Sequence, residues 1–295
     1  MKLPDLYLSV PGTWSPEKNI SRGNLLLRKI ALSVGCAVLS ATALADTSDI
    51  KAANNQVGIQ YTSTNVNYTE TGNGVTFDTE GGSVSGYAIS ASAMKNILFG
   101  NDYFEAEYDH TSGSTNYVAG AINGSTPYGS IVGQSGATLV NYSARYGKGI
   151  TNQNMPTVMV TPYVELGHHE WDRAINTGEI YTNSYYGIGL LYQYSPIPKL
   201  VLSGNALIGE TFSSNIAANA IPASNMNAFS GGLGNSGLSK IGASVDYAFT
   251  RNFHGNLGVD YTRFTYGASA IYSGYGEPNS KTAYTVAKVG IGYAF

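Results

Sequence analysis

The chain has 295 residues, with 16 basic and 19 acidic side chains and a net charge of −3, and charged residues make up only 12% of it, about half of the roughly 25% found in soluble proteins. Tyrosine (23 residues) and glycine (36 residues) replace the missing charge. Intrinsic disorder is excluded because it requires high charge and few aromatic residues, and the slightly acidic balance argues against nucleic-acid binding.

The longest apolar stretch of the chain lies near its start, over residues 30–45. A basic pair precedes it, and it ends in Ala43-Leu44-Ala45, which is the pattern of a secretory signal peptide cleaved after Ala45. A buried or membrane-spanning helix is disfavoured, because the stretch is short for a span and polar residues follow it. We predict a lead-in and signal peptide over residues 1–45 and a single domain over residues 46–295.

Two further features concern this leader. The long segment before the apolar stretch leads to the hypothesis that translation starts at a non-ATG codon near Leu25–Leu27. Cys36 is the single cysteine of the chain and can be interpreted as a lipoprotein acylation site, although Ser33 fits poorly at the usual aliphatic position. Since cleavage would remove Cys36, we expect neither disulfides nor thiolate chemistry in the domain.

Beyond the leader the chain consists of segments in which apolar and polar residues alternate. A period of two predicts β-strands, and segments of about 11 to 14 residues are long enough to cross a bilayer at a tilt. No apolar run approaches the roughly 18 residues of a transmembrane helix. The ten predicted strands cover residues 56–67, 82–94, 98–110, 136–146, 157–169, 184–194, 199–211, 238–249, 253–265 and 282–295.

Short and long links alternate between these strands. The shorter links cover residues 95–97, 147–156, 195–198 and 250–252; the longer ones cover residues 68–81, 111–135, 170–183, 212–237 and 266–281. Outer-membrane barrels have this asymmetry, with short periplasmic turns and long external loops. We therefore predict an all-β fold, a transmembrane antiparallel up-and-down β-barrel of about ten strands, with eight or twelve as alternatives. A secreted β-sandwich is the soluble alternative.

The facing of each strand follows from placing its charges in the lumen. In the last strand, Lys288 then faces inward and Ala287 faces lipid, whereas Asn205 and Glu210 prefer opposite assignments and leave the seventh strand ambiguous. Outward aromatic residues gather at the ends with short links, as expected for a periplasmic aromatic girdle. They are Tyr146, Tyr192, Tyr194, Phe249, Phe253, Tyr293 and Phe295.

Two segments resemble known barrels. The segment Val289-Gly290-Ile291-Gly292-Tyr293-Ala294-Phe295 resembles the terminal strand of bacterial outer-membrane barrels, and Thr161-Pro162-Tyr163-Val164-Glu165-Leu166-Gly167 resembles a mid-barrel strand of the small opacity-porin and OmpA-like group. The resemblance implies export through the periplasm into the bacterial outer membrane. It also implies an assembly signal, read by the barrel-insertion machinery, made of Val289, Ile291, Tyr293 and Phe295. Most members of the group have eight strands, so a count of ten leaves the subfamily open.

The predicted lumen contains charges of both signs. They are Glu105, Glu107, Asp109, Arg145, Glu165, Lys240, Asp246, Asp260 and Lys288. Asp260 and Lys288 are expected to pair, and Arg145 can meet Glu105 or Glu107. In a narrow barrel such charges fill the interior as a core does. The alternative is a constricted aqueous path whose acidic side chains favour cations.

Catalytic constellations are weak. Asp109 and His110 are neighbours on a strand and point to opposite faces, so they cannot form a dyad. The run His168-His169-Glu170 lacks the helical spacing of a zinc-binding HExxH motif, and no GxSxG motif is present in a suitable context. We expect no enzymatic activity, no cofactor and no metal, with a barrel hydrolase as the least favoured function.

The two longest predicted external loops, Thr111–Ser135 and Phe212–Ser239, contain no charged residue. They are either flexible loops or segments that pack over the mouth or contact another surface. We predict a non-enzymatic envelope or surface scaffold with five external loops, used for surface contact or adhesion, and a narrow porin-like channel is the alternative. The expected partners are outer-membrane lipid and lipopolysaccharide, the barrel-insertion machinery, and a surface or host partner that meets the loops, but not nucleic acid.

Overall fold

The structure, a computed structural model, describes residues 46–120, 126–222, 226–272 and 276–295. The predicted cleavage residues Ala43 and Ala45, like Cys36, lie outside the described residues. Within these ranges, no helix has the length and hydropathy needed to cross a membrane. The elements are a helix α1 (Thr47–Ala53) and the strands β1 (Gln56–Gly72), β2 (Val75–Lys95), β3 (Asp102–Ala119), β4 (Ile131–Lys148), β5 (Ile150–Asn152), β6 (Met155–Arg173), β7 (Glu179–Ile197), β8 (Leu200–Ala218), β9 (Phe229–Gly232), β10 (Gly237–Ala248), β11 (Phe253–Tyr266) and β12 (Asn279–Ala294).

Ten long strands form a closed antiparallel barrel. Each pairs with its neighbour in chain order, β12 pairs with β1, and β10 pairs with β8. The short strands β5 and β9 pair only with β6 and β8, respectively. The predicted ten-stranded up-and-down barrel is therefore confirmed, and the sandwich alternative is wrong because a closed barrel has no second sheet to pack against.

The outer surface of the barrel is apolar, as a lipid-facing surface requires. In β12, the side chains of Val289 and Ile291 are more than half exposed on the exterior. The neighbouring residue Lys288 faces the lumen. A continuous apolar exterior of this kind marks a membrane-facing surface in a folded protein. All seven predicted girdle aromatics lie on this exterior, at the end of the barrel that carries the links β7–β8 and β10–β11.

The ambiguous facing of the seventh predicted strand has a structural cause. Asn205 lies in the lumen, whereas Glu210 points outward and accepts a hydrogen bond from the Tyr186 hydroxyl at 3.0 Å. Further along β8 the pairing with β7 shifts register, and Ser213 adopts a φ of +52°. A bulge of this kind changes which residues face inward, so Leu207 below it and Ile216 above it are both buried.

Two predicted long links are mostly strand, which corrects the predicted loop boundaries. Residues 68–81 form the tip of the β1–β2 hairpin, which turns at Asn73 and Gly74 with φ values of +51° and +79°, the conformation favoured in two-residue hairpin turns. Similarly, residues 170–183 contain the ends of β6 and β7. The prediction failed there because strand residues above the lipid contact water outside and polar groups inside, so apolar alternation stops where the bilayer ends.

Much of the charge-free link 111–135 is also strand. Residues 111–119 complete β3 and residues 131–135 begin β4, and the two segments pair in register up to Ala119 and Ile131. The predicted start of the third strand at residue 98 is wrong as well. Residues 97–100 instead form a turn in which the Asp102 carboxylate accepts the backbone N–H groups of Ile97 and Leu98, each at 2.8 Å.

Candidate functional site

The helix α1 lies in the end of the lumen that carries the links β7–β8 and β10–β11. Ile50 of this helix is completely buried. Asn54, which caps the C-terminal end of α1, donates to the Gln193 Oε1 at 2.7 Å and accepts from the Gln193 Nε2 at 3.0 Å. The Asp49 carboxylate accepts the backbone N–H of Lys199 at 3.1 Å. The helix is therefore fixed to the inner wall and to the β7–β8 turn.

The middle of the lumen is crossed by a charge network centred on Glu165. Its carboxylate accepts from Arg145 Nε at 2.5 Å and from Lys240 Nζ at 2.7 Å, and also from the Tyr185 hydroxyl at 2.7 Å. Arg145 in addition contacts Glu105 at 3.1 Å. Since Arg145, Glu165 and Lys240 belong to β4, β6 and β10, the network connects opposite walls of the barrel.

A second group of charges is centred on Lys288. Its ammonium lies 2.6 Å from Glu107 and 3.1 Å from Asp260, so Asp260 and Lys288 pair as expected and Glu107 contacts Lys288 rather than Arg145. Asp109 is buried nearby, and its two carboxylate oxygens have no hydrogen-bond partner among the described residues.

These charges divide the lumen into two small cavities of about 90 and 160 Å³. Arg145, Glu107, Asp260 and Lys288 line both cavities, which places the network between them. Cavities of this size hold a few water molecules.

Asp246, the remaining residue of the predicted lumen network, contacts a partner that sequence reasoning missed. Its Oδ1 lies 2.6 Å from the Nδ1 of His254, and its Oδ2 accepts from Gln56 at 3.1 Å. Asp246 and His254 lie on the two arms of the β10–β11 hairpin, where Ala248 is directly opposite His254. The short predicted turn at 250–252 was the signal that could have identified this diagonal pair.

An aromatic layer, also missed from the sequence, fills the lumen above the charge network. The Nδ1 of His169 lies 2.6 Å from the Asn141 Oδ1, which accepts its proton, and the Nε2 lies 2.8 Å from the Tyr284 hydroxyl. The other members of the layer are buried rings in edge-to-face or tilted contact. They are Tyr68, Trp171, Tyr181, Phe264, Tyr266 and Tyr284.

The outer end of the lumen contains a fully buried arginine. Arg173 contacts Glu80 at 2.8 Å, Glu179 at 3.2 Å and Asp78 at 3.5 Å, and its guanidinium lies 4.5 Å from the ring centroid of Tyr68. These residues belong to predicted external links, so their inward facing was not predictable from a strand pattern. Together they occupy the outer end of the lumen.

Two further carboxylates border this arginine cluster, beyond the roughly ten strand residues that cross a bilayer. Glu277 accepts from the Tyr181 hydroxyl at 2.5 Å and from the Tyr68 hydroxyl at 3.3 Å. Burial and the nearby carboxylate of Glu179 raise the pKa of Glu277 to about 7. Burial and the charge of Glu277 raise the pKa of Glu70 to about 10. The cluster has more acids than Arg173 can neutralise, so it holds protons that ordinary carboxylates release.

The histidines considered as catalytic candidates do not converge. His168 faces outward, where its ring stacks on Tyr142 and its Nδ1 lies 3.0 Å from the Ser184 hydroxyl. His110 stacks on Tyr87 on the same outer surface, whereas His169 lies in the lumen. Among the described residues, no group of three or more His, Cys, Asp or Glu side chains is arranged to hold a metal ion.

The residues of the predicted assembly signal lie together on the exterior of β12. Val289, Ile291, Tyr293 and Phe295 are all exposed, and β12 closes the barrel by pairing with β1 from Ala294 opposite Gln56. The backbone N–H of Phe295 donates to the Asn55 carbonyl at 3.0 Å. The C-terminal residue thus lies beside α1.

Comparison with solved structures agrees with this architecture. The outer membrane protease OmpT of Escherichia coli aligns with 87% of this chain and 100% of its own length, at a TM-score of 0.52 and 13% sequence identity. The chain has the fold of a bacterial outer-membrane β-barrel. OprG of Pseudomonas aeruginosa (11% identity, 82% of this chain, 98% of its own, TM-score 0.36) and Ail of Yersinia pestis (10%, 82%, 99%, 0.30) also match. No protein-family model and no curated protein matches the chain.

Proposed function

We propose that the chain is a non-enzymatic scaffold of the bacterial outer membrane, which presents its outer hairpins for contact with other surfaces. The observation that carries this proposal is the network of Arg145, Glu165 and Lys240 across the lumen. A transport path would have to break ion pairs whose members are largely buried, which is costly because each would lose its partner in a medium of low dielectric constant. A filled lumen favours the scaffold over a narrow channel.

Side chains also occupy the two ends of the lumen, which supports the same conclusion. α1 occupies the periplasmic end, and the aromatic layer and Arg173 occupy the outer part. A channel would need α1, the aromatic layer and the Arg173 cluster to move aside together.

The hairpin of β3 and β4 supports a role in surface contact. Around the turn of this hairpin, Tyr128, Ile131 and Val132 are exposed, Val132 to 73%, and the Tyr128 hydroxyl bonds to Thr79 of the neighbouring hairpin at 2.7 Å. Exposed apolar side chains outside the bilayer favour contact with a partner or a surface. The charge-free composition of residues 111–135 removes electrostatic repulsion from such a contact.

The lumen geometry gives less support to a barrel hydrolase. Hydrolysis by acid–base chemistry requires a histidine beside a carboxylate and within reach of a substrate. His254 and Asp246 form such a pair, but both are buried near the periplasmic end, where Gln56 links Asp246 to the Ala53 carbonyl of α1. His169 has Asn141 and Tyr284 as partners rather than a carboxylate.

Conductance in planar lipid bilayers tests the closed lumen. We expect the refolded protein to insert without resolvable conductance steps. The double variant Arg145→Ala and Lys240→Ala removes both cations of the Glu165 network, and Lys95→Ala is the matched control at the periplasmic end. Regular steps from the unmodified protein would overturn the scaffold proposal in favour of the channel.

Attachment of cells that produce the protein tests the hairpin. We expect Ile131→Ser combined with Val132→Ser to reduce cell aggregation or attachment to surfaces, and Ile180→Ser on the β6–β7 hairpin to leave it unchanged. Equal attachment by all three strains would remove the contact role from the β3–β4 hairpin.

A further inference from the structure

A groove of about 710 Å³ crosses the outer surface of β4, β6, β7 and β8. Its floor is one hydrogen-bonded row in which Gly147, Tyr163, Gly189 and Leu207 lie opposite one another in successive strands. The side chains of this row point into the barrel or are hydrogen atoms, so no side chain fills the space outside it.

Two rows of outward side chains form the walls of this groove. The first wall consists of Tyr146, Val164, Ile188 and Ile208, and the second of Lys148, Pro162, Leu190 and Ala206. Ala206 and Pro162 are small, so the second wall is low. Apart from Lys148 at one end, every outward side chain along the groove is apolar or aromatic.

The groove runs from the periplasmic boundary into the apolar band. Lys148 is the last residue of β4, whereas Ala206 lies well inside β8. Four strands about 4.8 Å apart give a groove length of about 14 Å. Because barrel strands tilt by about 40°, a row perpendicular to them climbs obliquely through the bilayer.

The end of the groove at the periplasmic boundary carries the positive charge of Lys148. Lys148 forms no salt bridge with any residue that the structure describes. Its ammonium lies 5.9 Å from the ring centroid of Phe99, which belongs to the β2–β3 turn. A lysine in this position lies at the level of the lipid headgroups, where aromatic rings and cations are enriched.

We propose that this groove is a binding site for an anionic phospholipid of the periplasmic leaflet. One acyl chain lies along the row from Gly147 to Leu207, and the phosphate contacts Lys148. The apolar walls fit a hydrocarbon chain, the length of about 14 Å fits an extended part of one, and the cation complements the headgroup. The inference rests on the membrane embedding in the proposed function, but not on the closed lumen or the outer hairpins.

Lys95 provides a matched comparison. It also ends a strand at the periplasmic boundary, and its ammonium lies 5.3 Å from the ring centroid of Phe295. Lys95 does not line the groove. Both lysines therefore place an ammonium group near an aromatic ring, but only Lys148 also lies beside an apolar groove.

Native mass spectrometry of the folded, detergent-solubilised protein with added phosphatidylglycerol tests the site. We expect Lys148→Gln to weaken binding of the first phosphatidylglycerol by about fivefold, as for one lost cation at a lipid surface. Ala206→Leu places a larger side chain over the groove, which narrows it, and should reduce binding of phosphatidylglycerol and phosphatidylethanolamine alike. Lys95→Gln should change the binding of neither lipid. Heat-modifiable electrophoretic migration verifies that each variant is folded.

Three results would overturn the proposal. Equal losses for Lys148→Gln and Lys95→Gln would indicate general attraction of anionic lipid, and unchanged binding by Ala206→Leu would show that the groove is not used. A dimer of the unmodified protein that Ala206→Leu converts to a monomer would identify a second copy as the occupant. None of these results affects the scaffold proposal, which conductance and attachment test separately.

Discussion

Glu165 of β6 and Lys240 of β10 form a salt bridge of 2.7 Å across the lumen, although their strands are not neighbours in the sheet. The same carboxylate accepts from Arg145 of β4 at 2.5 Å. One buried anion therefore contacts two cations and links the neighbouring strands β4 and β6 to β10, with which neither of them pairs. Glu165 is completely buried, so its contacts with both cations are shielded from water.

Removing the Glu165 charge should destabilise the barrel strongly. Glu165→Gln keeps the shape of the side chain but leaves Arg145 and Lys240 competing for the remaining acids, and loss of one partner of a buried pair costs about 3 to 5 kcal/mol. Urea unfolding in detergent micelles, followed by intrinsic fluorescence, measures the change. Glu105→Gln is the control, because Glu105 is partly exposed and Arg145 keeps Glu165 as its partner. Equal losses for the two variants would contradict a central role of Glu165.

The contact between α1 and the barrel wall should depend on Asn54. Asn54→Ala removes both amide hydrogen bonds to Gln193 and leaves that buried side chain without these partners, which costs about 1 to 3 kcal/mol. Hydrogen–deuterium exchange over residues 47–53 should become faster while exchange in the strands remains unchanged. Lys51→Ala, on the exposed side of the same helix, serves as the control. Unchanged exchange in the Asn54 variant would show that Ile50 and Asp49 are sufficient to hold the helix.

The sequence predicted the part of the fold that lipid imposes. Within the bilayer one face of each strand must be apolar and the other can be polar, so period-two alternation revealed ten strands and the inward position of Lys288. β8 remained ambiguous because Glu210 is a charged residue that points outward, where it accepts a hydrogen bond from Tyr186, and the bulge at Ser213 further along the strand changes the parity of its inward residues from Leu207 to Ile216. No composition rule marks such a bulge when the residue is not glycine.

The candidate site was predictable only in part, because the constraint that lipid places on charged residues applies only at membrane depth. The lumen charges at membrane depth were recognised because a charge there must face inward. Arg173 and Glu80 lie on strand extensions beyond the lipid, where a charged residue can face either side. The aromatic layer was missed because Trp171 and Tyr181 look like rim residues until the strand ends are known to continue.

The C-terminal residue should govern assembly more than stability. If Phe295 belongs to an assembly signal, Phe295→Ser should lower the fraction of protein folded into the outer membrane and increase the unfolded periplasmic fraction. Phe249→Ser is a matched control, because Phe249 is a similarly exposed aromatic ring at the same end of the barrel. Heat-modifiable migration of membrane fractions measures the folded share. Equal defects in the two variants would assign the effect to the aromatic girdle in general.

The acids around Arg173 should make the outer end of the barrel less stable as the pH rises. Burial and the Glu179 carboxylate raise the pKa of Glu277 to about 7, from an ordinary value of 4.5, so the folded protein binds this proton more tightly than the unfolded chain does. Linkage then requires that the stability contributed by the protonated group is fully present below pH 4.5 and is lost as the pH rises through about 7. Burial and the charge of Glu277 raise the pKa of Glu70 to about 10, so the loss of stability should continue to higher pH.

This pH dependence can be measured through Trp171, which is buried in the aromatic layer with its ring 5.2 Å from that of Tyr68. We expect the urea midpoint, followed by tryptophan fluorescence in detergent micelles, to fall between pH 5 and pH 8. Glu277→Gln should reduce the slope between pH 5 and about pH 7, whereas Glu70→Gln should reduce it over the whole range from pH 5 to about pH 10. Glu170→Gln, on the outward face of β6, should leave the curve unchanged. If the Glu277 variant keeps the full slope between pH 5 and pH 8, another group must carry the proton.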